Sequence, residues 1–127
     1  MKLRNILIID DEFHTGYLIK INLEAEGYQT TLALSGEEAL EKAKASPPDL
    51  ITLDVLMPEM DGFQVLEALK RDEELGSIPV IMISVVNEIR RKQGIEMGVV
   101  DYLLKPIDFD NLLNRIRRLE IAESPPD

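Results

Sequence analysis

Short apolar segments alternate with longer amphipathic segments along the whole chain. The apolar segments hold four to seven residues and are rich in Ile, Leu and Val, which predicts β-strands. The first, third and fourth are almost continuously apolar, as is typical of strands buried on both faces of a parallel sheet. The predicted strands are 6–9, 28–34, 50–53, 79–83 and 100–104.

The segments between the strands have the apolar spacing of helices and recognisable ends. Ser35, Asp61 and Asp108 are expected to cap helix N-termini, because their side chains accept hydrogen bonds from first-turn N–H groups. Glu38 stands at the capping-box position after Ser35, and Gly27 can end the first helix. The predicted helices are 13–26, 36–45, 62–71, 88–97 and a fifth from 109, whose apolar stripe holds Phe109, Leu112, Leu113, Ile116 and Leu119.

Five strands that alternate strictly with five helices predict an α/β fold. The connections should be right-handed crossovers, with helices on both faces of a parallel sheet. A closed barrel needs eight such units, so an open doubly wound sheet is expected. The 127 residues suggest one domain, placed at 1–121, with 122–127 as a linker stub or a disordered tail.

Composition narrows the function further. The 24 acidic and 14 basic residues give a net charge of −10, which argues against direct binding to nucleic acid. The chain has no Cys, which excludes thiol catalysis, and its single histidine, His14, is expected to be exposed rather than a metal ligand. No apolar run could span a membrane and no signal peptide is visible, so we expect a cytoplasmic protein with no membrane contact.

Polar residues follow four of the predicted strands. Asp10 and Asp11 follow the first, Asp54 the third, Ser84 the fourth and Lys105 the fifth. If these strands are neighbours, the side chains meet at one edge, where open α/β sheets bind ligands. Clustered carboxylates must bind either protons or a cation, and oxygen ligands without His or Cys favour Mg²⁺. A nearby lysine and hydroxyl can donate hydrogen bonds to a phosphoryl group.

At these positions the sequence strongly resembles the receiver domain of two-component response regulators, the group that includes chemotaxis regulators. The resemblance covers about residues 4–121. It implies a flavodoxin-like, five-stranded parallel sheet in the order 2-1-3-4-5, and a peptide bond before Pro106 that is often cis. The motifs are Ile8-Ile9-Asp10-Asp11-Glu12, Asp54-Val55-Leu56-Met57-Pro58-Glu59-Met60-Asp61-Gly62, Ser84, Tyr102 and Lys105-Pro106.

The resemblance also implies roles for individual residues. Asp54 would accept a phosphoryl group from a phosphohistidine of a sensor histidine kinase or a histidine phosphotransfer protein. Asp11, Asp54 and the backbone carbonyl of Leu56 would ligate Mg²⁺, with Asp10 acting through a bound water. Lys105 would pair with Asp54 and then with a phosphoryl oxygen.

The resemblance further implies a switch. Ser84 would donate to a phosphoryl oxygen, and its movement would vacate space for Tyr102. The fourth helix, fifth strand and fifth helix would then present a changed face to a second copy of the chain or to an effector. This part of the chain is close to neutral and has basic clusters at Arg90, Arg91, Lys92, Arg115, Arg117 and Arg118.

The site also departs from the usual family pattern. Val85 is bulkier than the Ala or Gly that usually follows the switch residue. Leu56 and Val86 offer nothing that could orient a hydrolytic water. We therefore expect slow autodephosphorylation and slow phosphorylation by small donors.

Two other classes of function remain as alternatives. One is a receiver-like binding module that signals without phosphorylation. The other is an enzyme on a similar fold, but a dehalogenase-type phosphatase would have Asp where Leu56 stands, and a flavodoxin would have a phosphate loop in place of Asp10-Asp11-Glu12. We expect no turnover of a separate substrate. The chain could be free-standing or part of a longer regulator, and it looks more like receivers attached to hybrid sensor kinases.

Overall fold

The computed structural model describes residues 3–85 and 88–122. Val86 and most of the expected tail lie outside the described residues. Within them the chain alternates strands and helices as predicted, and each predicted boundary lies within one residue of the observed one. The elements are β1 (Asn5–Ile9), α1 (Phe13–Ala25), β2 (Gln29–Ala33), α2 (Gly36–Ala45), β3 (Leu50–Asp54), α3 (Gly62–Arg71), β4 (Val80–Ser84), α4 (Glu88–Glu96), β5 (Asp101–Leu104) and α5 (Phe109–Ala122).

The strands form one parallel sheet in the order β2-β1-β3-β4-β5. The expected flavodoxin-like order is therefore confirmed. The register pairs Ile9 with Leu53, and Asp54 with Ile83. The carboxyl ends of β1, β3 and β4 consequently lie side by side, and β5 follows because Ser84 pairs with Leu104. This register brings the polar residues after the strands to one edge of the sheet.

Helices cover both faces of the sheet and create two apolar cores. The face under α1 and α5 packs Ile19 and Leu23 against the sheet, together with the predicted α5 stripe, of which Leu112 and Ile116 are fully buried. The other face packs α2 and α3, with Val65 and other apolar side chains, against β1, β3 and β4. Strands β3 and β4 are buried at every position, as continuously apolar central strands of a parallel sheet should be.

The helix ends explain why the elements begin and end where they do. The side chains of Ser35, Asp61 and Asp108 accept first-turn N–H groups, as predicted. Glu38 differs from the expected capping box, because its carboxylate reaches the N–H of Leu34 rather than that of the cap residue.

Three further features concern α1 and the functional edge of the sheet. On α1, Ile19 and Leu23 are buried, whereas the neighbouring Leu18 is 47% exposed. His14 is exposed on the same helix, as expected, with its ring against Phe13. The Lys105–Pro106 peptide bond is cis, as the resemblance implies.

Candidate functional site

Three carboxylates meet at the carboxyl edge of the sheet. Asp10 and Asp11 follow β1 directly, and Asp54 is the last residue of β3. One oxygen of each carboxylate lies within 4.8 Å of one oxygen of each of the others. Asp10 and Asp54 are 2% and 5% exposed, whereas Asp11 is open to solvent. The structure therefore brings together the carboxylates that the sequence placed at separate strand ends.

The ammonium group of Lys105 lies between the two buried carboxylates. Its Nζ donates a hydrogen bond of 3.1 Å to Oδ2 of Asp10 and lies 3.5 Å from Oδ2 of Asp54. The backbone N–H of Lys105 is bound to the carbonyl of Ser84, which ties this lysine to the end of β4. Sequence reasoning missed the Asp10 hydrogen bond, since the spacing of the motifs does not show which carboxylate is nearer.

Burial and crowding shape the electrostatics of the cluster. Burial, followed by the negative charge of Asp10, raises the pKa of Asp54 to about 6, although Lys105 and the N–H of Leu56 oppose the shift. Burial disfavours the charged form of Lys105, but the hydrogen bond and charge of Asp10, with a contribution from Asp54, outweigh it and raise the pKa of Lys105. The cluster thus carries an excess of negative charge that one lysine does not neutralise.

Two buried hydroxyls lie behind the cluster. Ser84 is fully buried, and Tyr102 is 8% exposed. Among the described residues, neither hydroxyl makes a hydrogen bond of good geometry. They are near each other, however: burial raises the pKa of Tyr102, while the adjacent Ser84 hydroxyl opposes that shift. The predicted switch residues are therefore neighbours, and Tyr102 occupies the interior beside α4.

The segment between β3 and α3 forms one wall of the site. Asp61 caps α3 in a full capping box with Gln64, since the side chain of each accepts the backbone N–H of the other. The N–H of Gly62 donates to the carbonyl of Val55 at 2.8 Å, so α3 begins against the residue after the buried Asp54.

The cluster opens to solvent through a cleft between the loops that follow the strands. Its lining combines acidic side chains, Lys105 and two apolar side chains, Leu56 and Val85, which are 44% and 47% exposed. Glu12, which had no assigned role, also lines this cleft. The cleft is therefore acidic at its base and apolar on part of its rim.

Comparison with known proteins decides the family. The sequence model described as the response regulator receiver domain matches residues 6–117. The chain belongs to this family. Receivers act in two-component systems, in which response regulators work with histidine kinases and effectors, and they bind Mg²⁺ at an acidic pocket.

Curated relatives of this receiver are longer proteins. It is 44% identical over 115 residues to the DNA-binding dual master transcriptional regulator RpaA of Synechocystis, covering 90% of this chain and 48% of RpaA. It is 43% identical over 115 residues to the response regulator PleD of Caulobacter vibrioides, covering 90% of this chain and 25% of PleD. The chain thus spans about half the length of the first curated relatives it matches. Because RpaA is named as DNA-binding, the relatives do not support our expectation that nucleic acid is absent from the partners.

Solved receiver structures superpose closely on this one. The receiver domain of a signal transduction histidine kinase from Syntrophus aciditrophicus is 34% identical, with a TM-score of 0.87, and covers 98% of this chain and 95% of its own. The chemotaxis protein CheY4 of Vibrio cholerae is 28% identical, with a TM-score of 0.86, and covers 92% of this chain and 98% of its own. Among the described residues, no helix of this receiver is long and apolar enough to cross a bilayer.

The acidic cluster of this receiver has the chemistry that Mg²⁺ requires. It offers carboxylate oxygens alone, with no sulfur or imidazole ligand, and hard divalent ions prefer such oxygens. Lys105 contacts Asp10 and Asp54 but supplies only one positive charge to three carboxylates. The surplus negative charge and the exposure of Asp11 leave the cluster suited to a solvated cation.

Proposed function

We propose that this receiver accepts a phosphoryl group on Asp54 and passes the signal on through α4, β5 and α5. The observation that carries the proposal is the meeting of Asp10, Asp11 and Asp54 within 4.8 Å, with Lys105 bound between the two buried carboxylates. We place the receiver unit at residues 1–121. The donor is a phosphohistidine of a sensor kinase or phosphotransfer protein in the cytoplasm.

Asp54 and Lys105 have different roles in the proposed phosphoryl transfer. An oxygen of the Asp54 carboxylate forms a bond to phosphorus while the phosphorus–nitrogen bond of the donor breaks, and the bonding pair leaves with the imidazole, which takes up a proton. The product on Asp54 is an acyl phosphate. Lys105 lies 3.5 Å from Asp54, where its ammonium can stabilise negative charge on the phosphoryl oxygens.

Mg²⁺ would be held by Asp11, Asp54 and the Leu56 carbonyl, with Asp10 reaching it through water. When bound, it supplies positive charge between the nucleophile and the incoming phosphoryl group. The described cluster needs little rearrangement to hold the ion, because Asp10 and Asp54 are already buried, Lys105 lies against both, and Asp10 is also hydrogen-bonded. The N–H of Glu12, for example, donates to Asp10 at 2.9 Å.

The conformational change that we propose as the signal involves Ser84 and Tyr102. The buried Ser84 hydroxyl makes no hydrogen bond among the described residues, so it can donate one to a phosphoryl oxygen. Tyr102 lies beside Ser84 and connects it to α4. The face built by α4, β5 and α5 is where we propose that a second copy or an effector binds. Some residues of its predicted basic clusters form ion pairs within the chain: Arg115 pairs with Asp101, and Arg117 pairs with Glu26.

The test is phosphoryl uptake measured by intact mass spectrometry. The protein is incubated with Mg²⁺ and either acetyl phosphate or a phosphorylated histidine kinase. We expect a mass gain of one phosphoryl group that Asp54→Asn abolishes and Asp110→Asn, an exposed aspartate on α5, retains. Equal gain in both variants would overturn the assignment of Asp54. Partner binding by a wild-type chain that gains no mass from either donor would instead support the phosphorylation-independent module.

A further inference from the structure

The backbone of Gly62 lies against the backbone of the proposed phosphoacceptor. Its N–H donates to the carbonyl of Val55 at 2.8 Å. A Cβ atom added at Gly62 would overlap the carbonyl oxygen of Asp54 and would lie 2.7 Å from Cα of Val55 and 3.1 Å from the carbonyl carbon of Asp54. All three atoms are backbone, so no side chain can turn aside to make room. Position 62 has no space for any residue except glycine.

Glycine is not needed here for backbone conformation. Gly62 is the first residue of the right-handed helix α3, where every amino acid finds an allowed φ. The glycines at positive φ are elsewhere, Gly27 at 95° and Gly98 at 99°. Glycine also disfavours helices, so its place in the first turn has a cost that local folding does not explain. The close approach of two backbone segments explains it.

The two segments in contact carry different parts of the site. Asp54 and Leu56, on either side of Val55, supply the phosphoacceptor and the proposed carbonyl ligand. Asp10 follows β1 and Lys105 follows β5, so neither belongs to the segment that α3 contacts. A shift of the segment 54–56 therefore changes the distances of Asp54 and Leu56 from Asp10 and Lys105.

We propose that Gly62 is a positioning residue, which lets α3 start directly on the Asp54–Val55 peptide and so fixes Asp54 and Leu56 against the rest of the acidic cluster. The proposal rests on the proposed function, because it assigns Gly62 a role in the same site. Asp61 reinforces the contact, since its capping box with Gln64 anchors the first turn of α3.

A matched pair of variants tests the proposal. Gly62→Ala places a methyl group against the backbone of the site. Gly76→Ala, beyond the other end of α3, places one 2.9 Å from the carbonyl oxygen of Asp72 and 3.1 Å from that of Lys70, so it also meets backbone atoms but far from the site. For both we would measure unfolding in urea, Mg²⁺ affinity by calorimetry, and the rate of phosphoryl uptake at saturating Mg²⁺.

We expect both variants to lose stability but only Gly62→Ala to damage the site. Its Mg²⁺ affinity should fall about 10-fold, the size of effect seen when groups that orient metal ligands are changed. Its phosphoryl uptake should stay slow even at saturating Mg²⁺, because Asp54 itself is displaced. In the metal-free protein, amide NMR signals of residues 54–56 should move more than those of Asp10 and Lys105.

Other outcomes would count against the proposal. Equal Mg²⁺ affinity and uptake per folded molecule in the two variants would show that Gly62 acts only on stability. Sucrose favours the folded state, so a Gly62→Ala chain that remains unfolded in sucrose while Gly76→Ala folds would likewise reduce Gly62 to a structural role. A wild-type chain that binds Mg²⁺ but takes up no phosphoryl group would contradict the proposed function alone, and the affinities would still decide the role of Gly62. A wild type without Mg²⁺ affinity would overturn both.

Discussion

The ammonium group of Lys105 donates a 3.1 Å hydrogen bond to Oδ2 of Asp10, while its distance to Asp54 is 3.5 Å. Lys105 is therefore held by a carboxylate that is not the proposed nucleophile. Because Asp10 is 2% exposed, this ion pair is shielded from solvent and keeps the ammonium in place. The proposed phosphoacceptor Asp54 thus lies 3.5 Å from a cation that Asp10 holds in place.

Replacing Lys105 with methionine should separate its two effects. Lys105→Met keeps the aliphatic stem but removes the charge, so the pKa of Asp54 in the metal-free protein should rise further above about 6. Mg²⁺ affinity should increase, since a cation that competes for the same carboxylates is gone. Phosphoryl uptake should nevertheless fall about 100-fold, as is common when a donor to developing charge is lost. NMR titration, calorimetry and mass spectrometry measure these three quantities.

Lys44→Met provides the control for Lys105→Met. Lys44 is an exposed lysine that pairs with Asp72 at 2.7 Å on the surface. Its removal should leave Mg²⁺ affinity and uptake unchanged. Unchanged uptake in Lys105→Met would show that Lys105 does not assist the transfer, even if the metal binds more tightly.

The fold could be predicted because local patterns and tertiary packing agree. The strands β3 and β4 read as buried from their continuous apolar character, and they are buried at every position. The helix N-cap at Asp61 could likewise be predicted from the sequence. The buried face of α1 could not be predicted in detail, because the helix carries apolar residues on more than one side and periodicity alone does not distinguish the buried Ile19 from the exposed Leu18.

The site could be predicted as a set of residues but not as a geometry. Parallel strands of known order bring Asp10, Asp54 and Lys105 to one edge of the sheet, independently of their side-chain conformations. The hydrogen bond between Lys105 and Asp10 depends on rotamers and burial, which no spacing reveals. The role of Gly62 could hardly be predicted, because the sequence shows only a poor helix former at the start of a helix. The backbone contact that explains the glycine is seen only in the structure.

The apolar rim of the cleft should make phospho-Asp54 long-lived. Leu56 and Val85 line the cleft and present no group that could orient an attacking water. Leu56→Asn introduces an amide that can do so. We expect it to shorten the lifetime of the phosphorylated protein about 10-fold, less than a positioned general base achieves, because an amide orients the water without taking its proton. The decay of the phosphorylated mass after removal of the donor measures the lifetime.

The matched control for this change is Ile121→Asn. Ile121 is 75% exposed at the end of α5, far along the chain from the site, so the same substitution there should leave the lifetime unaltered. Loss of the phosphoryl group from the wild type within seconds would contradict the expectation. So would a lifetime that Leu56→Asn leaves unchanged.

Thr52 offers a test of stability in the sheet. It is 1% exposed in the middle of β3, between Ile8 and Ile81 in register, and its hydroxyl has no hydrogen bond among the described residues. Thr52→Val keeps the branched shape and removes the unpaired hydroxyl, so the free energy of unfolding should rise by about 1 kcal/mol. Thr31→Val, at an exposed position of β2, should change it little. A loss of stability at Thr52→Val would reveal a partner of the hydroxyl, such as a buried water.

A tyrosine ties the end of α5 to the loop before β2. The hydroxyl of Tyr28 donates to the carboxylate of Glu120, and burial together with this carboxylate raises the pKa of Tyr28 to about 12. A raised pKa in the folded state means that the neutral phenol is favoured by folding. Its contribution to stability is complete below the ordinary tyrosine value of 10 and is lost as the pH rises from there through about 12.

Tyr28→Phe should therefore destabilise the protein only where the phenol is neutral. We expect a loss of about 1 kcal/mol at neutral pH, the usual worth of a partly exposed hydrogen bond. The difference from wild type should shrink as the pH rises above 10 and change sign before about 12, because ionisation of Tyr28 in the unfolded chain then outweighs that hydrogen bond. Urea unfolding at several pH values gives the stabilities, and the ultraviolet difference between the two proteins gives the titration of Tyr28. Glu120→Gln should lower the pKa of Tyr28 without returning it to 10, because burial remains the larger cause. A stability difference that persists undiminished at the highest pH would contradict the raised pKa of Tyr28 and the stabilising hydrogen bond to Glu120 from which it partly arises.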